Sequence, residues 1–280
     1  MSAERVVAFQ GMLGAFSHLA CRATHPDWTV LPCPTFDSVF DAVESGAAAR
    51  AVIPVENSQA GRVTDIHRLL PQRGLFIVGE HYQPIHHQLV AIPGTKLADV
   101  RTVRSHPQAL AQCREYLNAR NMEAVAARDT AEAAVEVGRL GDKTIAAIAS
   151  RVAAEIHGLE ILDQDIEDAH DNTTRFLVMS PTPVEFAPDA GPLVTSCLFR
   201  VRNIPAALYK ALGGFATNGV NLLKLESYQL GGFQWAQFVV DLEGHPEDPA
   251  VARALEELSY FATELRLLGT FPAAPRPDQA

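Results

Sequence analysis

Four serines stand where an apolar, strand-like segment gives way to a helical pattern. They are Ser17 after RVVAF, Ser58 after RAVIPVE, Ser105 after VRTVR and Ser150 after TIAAIA. In an open α/β sheet, ligands bind at the carboxyl ends of the strands, where the following helices present free N–H groups. Hydroxyl groups at four such junctions are suited to binding carboxylates. The alternative is that each serine is an ordinary helix N-cap, and spacing alone does not separate the two.

Polar residues beside two of these serines extend the candidate site. Asn57 follows Glu56 directly after a strand-like run, where it either bonds a ligand or satisfies the next turn. His106 stands between Ser105 and Pro107 at a helix entrance. It is an acid, a carboxylate partner or only a neighbour of the cap, and the residue types leave these readings open.

The most distinctive polar string is DAHDNTTRF, residues 168–176, which is followed by apolar Leu177 and Val178. It places two adjacent threonines and an arginine at the entrance to a strand. Composition alone predicts a polar loop here.

Several other chemistries lack a motif in this sequence. It contains no HExxH, no metal-spaced Cys/His set, no GxGxxG, no Walker A motif and no GxSxG. The adjacent His86 and His87 would point to opposite sides of a strand. The sequence therefore predicts no metal site and no cofactor.

The composition of the 280 residues is that of an ordinary globular chain, with 48% hydrophobic and 20% charged residues. A net charge of −10 disfavours nucleic-acid binding, which needs a basic surface. The four cysteines form no CxxC pair, which favours a reducing, cytoplasmic compartment. No signal peptide and no apolar run long enough to span a membrane occurs in the sequence. We expect a cytoplasmic protein that binds no membrane.

The elements that position the polar residues follow from hydrophobic periodicity. Strand-like and helical segments alternate through the first 180 residues, including one helix predicted over 107–120, and this predicts an α/β fold with a largely parallel sheet. Four prolines in residues 181–192 predict a linker between two domains. Beyond it, a βαββαβ order over residues 193–272 predicts a ferredoxin-like sandwich, with Gly231-Gly232 as a strand turn and an unstructured tail at 273–280.

Five segments carry a family resemblance. They are AFQGMLGAFSHLA (8–20), IPVENSQAGRV (53–63), SHPQALAQC (105–113), AAIASRVAAEIHGL (146–159) and NTTRF (172–176). In this order and spacing, residues 6–180 closely resemble the prephenate dehydratase catalytic domain. Residues 193–272 resemble the ACT domain that usually follows it. No helical chorismate mutase segment precedes Val6, so the chain is similar to the monofunctional form.

The resemblance implies a two-lobed catalytic domain over residues 5–180, like a periplasmic binding protein, with an inserted lobe at roughly 82–150. It implies conversion of prephenate to phenylpyruvate, with loss of carbon dioxide and water, on the route to phenylalanine. The family's essential threonine falls on Thr174. The other residues that the resemblance and the junctions assign to the substrate are Ser17, Asn57, Ser58, Ser105, His106, Ser150, Thr173, Arg175 and Phe176. Arg175 either pairs with the substrate or braces the motif.

The chemistry of prephenate fits such a site. Its ring hydroxyl must leave as the ring becomes aromatic, and aromatisation supplies the driving force. A threonine hydroxyl is a weak acid, but it donates a hydrogen bond to an oxygen on which negative charge builds, and a closed cleft strengthens that bond.

The resemblance also implies an effector site for L-phenylalanine at an interface between subunits of a homodimer or homotetramer. Its residues would be Ala206, Ala207, Leu208, Glu226 and Ser227. Alanine replaces a family glycine in IPAAL (204–208), and Tyr228-Gln229 replaces Arg-Pro after Glu226-Ser227. We expect these departures to alter the strength of feedback control. The alternative is that this domain only dimerises.

Two other functions stay open at this point. Arogenate dehydratase acts on the transaminated analogue of prephenate, in which an ammonium replaces the ketone, and a carboxylate facing that ammonium would favour it. Glu56 is the candidate within the motifs. A non-catalytic protein that senses an amino acid is the other alternative, and the intact NTTRF string argues against it.

Overall fold

The structure, a computed structural model, describes residues 3–201, 204–230 and 235–276. Fifteen strands and nine α-helices form within these ranges. The strands are β1 (Val6–Gln10), β2 (Thr29–Cys33), β3 (Arg50–Asn57), β4 (Gly61–Arg62), β5 (Phe76–Pro84), β6 (Gln88–Ala91), β7 (Thr102–Ser105), β8 (Glu123–Ala126), β9 (Ile145–Ala149), β10 (Glu160–Asp163), β11 (Thr173–Ser180), β12 (Leu193–Val201), β13 (Leu222–Leu230), β14 (Trp235–Glu243) and β15 (Ala262–Pro272). The helices are α1 (Phe16–Thr24), α2 (Phe36–Glu44), α3 (Thr64–Leu69), α4 (Pro107–Gln112), α5 (Arg114–Ala119), α6 (Thr130–Leu140), α7 (Arg151–His157), α8 (Ala207–Thr217) and α9 (Pro249–Phe261).

The chain folds into two compact units. One contains the chain up to Val63 together with His81–Phe176, and the other contains Thr64–Glu80 and Leu177–Arg276. The limits of 5–180 and 193–272 that the sequence analysis gives to two domains stay a prediction.

The first sheet has the strand order β2-β1-β3-β11-β5, with β4 paired to β3. β1 is parallel to both β2 and β3. The central strands β1 and β3 are buried along most of their length, as expected for strands with helices on the sheet faces. Phe9 on β1 and Phe40 on α2 are fully buried in this part of the core.

The second sheet has the order β10-β6-β9-β7-β8 and is covered on both faces. Leu89 on β6 and Ile148 on β9 pack with α4 and α5 on one face. Val90 and Ala147, which alternate with them along the strands, pack with α6 and α7 on the other face. This sheet includes β10, which lies beyond the limit of residue 150 expected for the inserted lobe. β10 returns antiparallel to β6.

The C-terminal elements follow the βαββαβ order of a ferredoxin-like sandwich, and the strand order is β13-β14-β12-β15. β12 is antiparallel to both β14 and β15. One face of this sheet packs against α8 and α9, where the rings of Phe199 and Phe238 stack at 5.2 Å between centroids. The observed order confirms the predicted fold class.

One predicted element is wrong in detail. The helix predicted over 107–120 is two helices, α4 and α5, because the backbone at Cys113 leaves the helical region, with φ −118° and ψ 22°. Cys113 is fully buried, and its side chain packs in the core of the second sheet. The predicted turn at Gly231-Gly232 and the last four residues of the predicted tail, 277–280, lie outside the described residues.

Within the described ranges, no helix combines the length and the apolar character that a membrane span requires.

The start of α8 is strained. Its N-cap residue, Ala206, has φ 64° and ψ 9°, which is the left-handed helical region, and its side chain makes no capping hydrogen bond. A residue with a β-carbon pays roughly 1–2 kcal/mol in this conformation, whereas glycine adopts it freely.

Replacing Ala206 with glycine should therefore stabilise the protein by about 0.5–1 kcal/mol, despite the greater chain entropy of glycine in the unfolded state. Chemical denaturation measures the change. The matched control is Ala207→Gly inside α8, which should destabilise by about 1 kcal/mol. A loss of stability in Ala206→Gly would show that the left-handed backbone there is not under strain.

Candidate active site

The first unit contains a cleft with a cavity of about 330 Å³. Strands of both sheets and the helices beside them line it. The lining comes from the ends of β1 and β3, the starts of α1, α2, α4 and α6, the segments before α3 and between β5 and β6, and the start of β11. The lining residues are Gln10, Ala15, Phe16, Ser17, Phe36, Pro54, Asn57, Val63, Ile85, His87, His106, Gln108, Ala109, Gln112, Asp129, Thr130, Thr174 and Phe176.

Thr174 stands at the start of β11 with its hydroxyl group beside Asn57. The Asn57 side-chain amide, Nδ2, donates to Thr174 Oγ1 at 3.0 Å and to Asn172 Oδ1 at 2.8 Å. The Asn57 carbonyl oxygen, Oδ1, accepts from the backbone N–H groups of Gln59 and Ala60, which fixes the amide orientation. Because Oγ1 accepts from Asn57, the hydroxyl hydrogen of Thr174 is directed away from that amide.

Ser58 attaches the polar string to the end of β3. Its hydroxyl donates to the Asp171 carbonyl at 3.1 Å and accepts from the Thr173 backbone N–H at 3.0 Å. The Ser58 backbone N–H donates to the Thr173 carbonyl at 2.9 Å. The hydroxyl expected to hold a ligand therefore has protein partners, and Ser58 does not line the cleft.

Ser105 and Ser150 are almost fully buried, and their hydroxyls also form hydrogen bonds within the protein. The Ser105 hydroxyl donates to the Ile148 carbonyl at 2.7 Å. The Ser150 hydroxyl donates to the Gly14 carbonyl at 2.6 Å and caps α7 by accepting from the Ala153 N–H. Gly14 has φ +94°, and a β-carbon there would lie 2.7 Å from the Ala153 Cα, so the loop before α1 fits against α7 only with glycine.

The structure thus brings together only part of the predicted substrate set. Five of its ten members line the cleft: Ser17, Asn57, His106, Thr174 and Phe176. The five others, Ser58, Ser105, Ser150, Thr173 and Arg175, are not among the lining residues. Arg175 and Thr173 are 9% and 8% exposed, which reflects their place in a buried strand.

Four helices begin at the cleft, and their N-termini differ. α2 is capped by Thr35, whose side chain accepts from the Ser38 N–H. α1 begins at Phe16 without a side-chain cap. α4 is capped by His106, whose Nδ1 accepts from the Gln108 N–H at 3.2 Å. α6 is capped by Asp129, whose carboxylate accepts from the N–H groups of Ala131 and Glu132. The N-terminus of α1 therefore presents N–H groups that no side chain occupies, which is a favourable position for an anion.

Sequence reasoning missed several polar residues of the cleft, namely Gln10, His87, Gln108, Gln112, Asp129 and Thr130. The position of Gln10 at the end of β1 and of Asp129 after β8 could have indicated two of them. Nothing in the local sequence marks His87. Burial lowers the pKa of the His87 imidazole, although the hydrogen bond to Gln112 and the charge of Glu167 oppose this, so the ring is neutral at neutral pH.

A group that could ligate a metal ion lies outside the cleft lining. Within the described part of the chain, His86, Asp165 and Glu167 each offer one ligand atom, all within 4.8 Å of one another. His86 Nδ1 lies 3.0 Å from Glu167 Oε1. This hydrogen bond accounts for the cluster without an ion.

The five predicted effector residues lie in the second unit on two elements. Ala206, Ala207 and Leu208 begin α8, where Ala207 is buried in the core. Glu226 and Ser227 are neighbours on β13. Both carboxylate oxygens of Glu226 have partners, since Lys224 Nζ lies 2.9 Å from Oε1 and the Tyr228 hydroxyl donates to Oε2 at 2.5 Å.

The chain therefore belongs to the class of α/β proteins in which a two-sheet unit with a polar cleft is followed in the chain by a ferredoxin-like sandwich. Residues 7–183 match the family model described as "PDT: Prephenate dehydratase". The chain belongs to the prephenate dehydratase family.

Three relatives share nearly the whole chain. A Komagataeibacter europaeus protein named "Bifunctional N-acyl-homoserine lactone acylase/prephenate dehydratase" is 52% identical over 98% of each chain. An Arabidopsis thaliana protein named "Arogenate dehydratase/prephenate dehydratase 2, chloroplastic" is 40% identical over 95% of this chain and 72% of its own. The solved prephenate dehydratase from Arthrobacter aurescens, in complex with L-Phe, is 31% identical, with a TM-score of 0.86 over 98% of this chain and 94% of its own.

Replacing Ser150 with alanine should lower the free energy of unfolding by about 1–3 kcal/mol, because the Gly14 carbonyl and the Ala153 N–H would lose their buried partner. The matched control is Ser17→Ala, which removes a half-buried hydroxyl from the cleft wall and should leave stability unchanged. Urea denaturation of both variants measures the difference. Equal stability of Ser150→Ala and the wild type would contradict the structural role.

Proposed function

We propose that this protein is a prephenate dehydratase that converts prephenate to phenylpyruvate, carbon dioxide and water. The observation that carries the proposal is Thr174, which lines the cleft and whose hydroxyl accepts from the fixed amide of Asn57. The family to which the chain belongs supports the same reaction class, a dehydratase.

The cleft supplies neutral donors for a dianionic substrate. Among the described residues that line it, none is lysine or arginine. The donors are the hydroxyls of Ser17 and Thr174, side-chain amides such as that of Gln112, and the uncapped N-terminus of α1. Amide and hydroxyl donors inside a cleft bind carboxylates well because fewer water molecules compete for them.

The reaction requires two bonds to break. The bond from the ring to its carboxylate breaks, carbon dioxide leaves, and the electron pair joins the aromatic ring. The bond from the ring to the hydroxyl oxygen breaks, and that oxygen leaves with its electron pair and becomes water on gaining a proton. The Thr174 hydroxyl donates a hydrogen bond to the departing oxygen, where negative charge builds.

Asn57 strengthens this donation. Its amide N–H points at Thr174 Oγ1, so it stabilises negative charge on that oxygen and makes the hydroxyl hydrogen a better donor. Ser58 supports Thr174 indirectly, because its two bonds hold the segment that leads into β11. In this scheme Ser105, Ser150 and Arg175 brace the cleft and do not touch the substrate.

The choice between prephenate and arogenate depends on what faces the side-chain ketone or ammonium. Glu56, the carboxylate that would have favoured arogenate, does not line the cleft. Asp129 does, and its Oδ1 accepts from the N–H groups at the start of α6. The absence of Glu56 from the described lining supports prephenate as the substrate. Parallel assays of purified protein with prephenate and with arogenate test the choice, and no turnover of either would favour the amino-acid sensor.

We further propose that residues 193–272 form an ACT domain, separated by the 181–192 linker, that binds L-phenylalanine at the interface of a homodimer or homotetramer. The ferredoxin-like order and the L-Phe complex of the Arthrobacter aurescens relative support this. Because Lys224 and Tyr228 occupy the Glu226 carboxylate, the effector's ammonium must compete with them. We expect weaker binding than at a site with an unoccupied carboxylate. A monomer in light scattering would rule out the interface.

A second candidate activity is hydrolysis of N-acyl-homoserine lactones. The observation that favours it is the name of the Komagataeibacter europaeus relative, which matches this chain from end to end. The cleft lining also includes the apolar side chains of Phe16, Phe36, Val63 and Phe176, against which an acyl chain could pack. Mass spectrometry of purified protein with N-acyl-homoserine lactones tests for the fatty acid and homoserine lactone that hydrolysis would release.

Thr174→Val should reduce kcat for prephenate by about 10²–10³-fold, since valine keeps the shape of threonine but donates no hydrogen bond. The KM should change little, because the lost bond forms mainly in the transition state. The matched control is Thr173→Val, which alters the neighbouring position outside the cleft and should keep most of the turnover. Near wild-type kcat in Thr174→Val would refute the assignment of this residue.

Tyr228→Phe should tighten L-phenylalanine binding by roughly threefold to tenfold, because it removes a hydroxyl that competes with the effector's ammonium for Glu226. Isothermal titration calorimetry measures the affinity. Tyr260→Phe on α9, where the tyrosine side chain is exposed, is the control and should not change it. Unchanged affinity in Tyr228→Phe would place the ammonium away from Glu226.

A further inference from the structure

His87 is held rigidly at the point where the chain enters the second sheet. It lies between β5 and β6 and is 2% exposed. Its backbone N–H donates to Glu167 Oε2 at 2.8 Å, and its carbonyl accepts from the Ile166 N–H at 3.0 Å. The edge of the ring meets Phe16, with 5.5 Å between centroids at an angle of 81°. Its ring is a fixed part of the cleft wall.

The ring nitrogens of His87 differ in their surroundings. Nε2 lies 2.9 Å from Oε1 of Gln112, and a carbonyl oxygen only accepts, so Nε2 carries the hydrogen. Nδ1 is buried and has no hydrogen-bond partner among the described residues. Burial keeps the imidazole neutral by lowering its pKa, so the single ring hydrogen is the one that Gln112 accepts.

This contact orients the Gln112 side chain. Gln112 is the last residue of α4, and its backbone carbonyl accepts from the Asp168 N–H at 2.7 Å, which fixes its main chain. Its side-chain oxygen is occupied by His87, so the NH₂ group at the other end of the amide faces a different direction. Gln112 lines the same cleft as Thr174. Because the oxygen is bonded to His87, the NH₂ group is the part of this amide that remains to donate to a ligand in that cleft.

We propose that His87 is a positioning residue, whose neutral, Nε2-protonated imidazole holds the Gln112 amide with its NH₂ group toward an anionic oxygen of the substrate. This inference rests on the proposed function, because it takes a dianionic acid such as prephenate as the ligand. Without His87, the Gln112 amide is free to rotate and can present its carbonyl oxygen, which repels a carboxylate.

Two substitutions of His87 distinguish the roles of its two ring nitrogens. His87→Gln keeps an N–H donor at the position of Nε2, whereas His87→Asn keeps polar atoms only near the position of Nδ1. We expect His87→Asn to raise the KM for prephenate roughly tenfold or more, with a smaller change in kcat. His87→Gln should recover most of that loss. If the two variants are equally impaired, the inference is wrong.

A double-mutant cycle tests whether the effect passes through Gln112. In a Gln112→Met background, His87→Asn should produce no further rise in KM, because the amide that it orients is gone. Additive effects of the two substitutions would overturn the inference. Thermal denaturation of each variant identifies any that fail to fold.

A measurement on the wild type does not depend on any variant. ¹⁵N NMR of the histidine side chains should find His87 neutral, protonated at Nε2 and still neutral below the pH at which exposed histidines titrate. A ring protonated at Nδ1 would refute the inference. If the wild type neither binds nor converts prephenate, the proposed function fails, whereas normal turnover with an unaffected His87→Asn variant defeats only this inference.

Discussion

The hydrogen bond from Asn57 to Thr174 joins residues 117 positions apart in the chain, and the arrangement of the cleft depends on it. It requires the end of β3 to lie beside the start of β11, and the strand order β1-β3-β11 places them there. Asn57 holds this geometry with its whole side chain, because its oxygen closes the turn after β3 while its nitrogen contacts Asn172 and Thr174. A threonine on a mobile loop could not direct its hydrogen so consistently.

Between β5 and β11 the chain leaves the first sheet, builds the second sheet and returns. The outgoing and returning segments are bonded to each other, by Ile85 N–H to the Asn172 carbonyl and by Ile166 N–H to the His87 carbonyl. The buried carboxylate of Glu167 adds bonds to the His87 backbone and to the His86 ring. The two segments that connect the sheets therefore also carry residues that border the cleft.

An acidic protein that binds an acidic ligand has to rely on local donors, because its net charge of −10 repels anions at long range. In the part of the chain that the structure describes, no lysine or arginine lines the cleft. It instead presents amides, hydroxyls and the uncapped start of α1, each of which donates without carrying a full charge. In the absence of a bound substrate, burying neutral donors in the cleft also costs less free energy than burying a cation would.

The sequence by itself determined the family motifs, including the string around Thr174, the alternation that makes an α/β fold and the βαββαβ order. These depend on local periodicity and on residue types, which a sequence displays. It did not reveal the break at Cys113, which depends on how a buried side chain packs. The tertiary structure alone decided which polar side chains face the cleft. Ser105 and Ser17 both follow a strand-like segment in the sequence. In the structure, Ser105 donates to a buried carbonyl, whereas Ser17 lines the cavity. The sequence does not show this difference, because the hydrogen-bond partners of a hydroxyl come from distant parts of the chain.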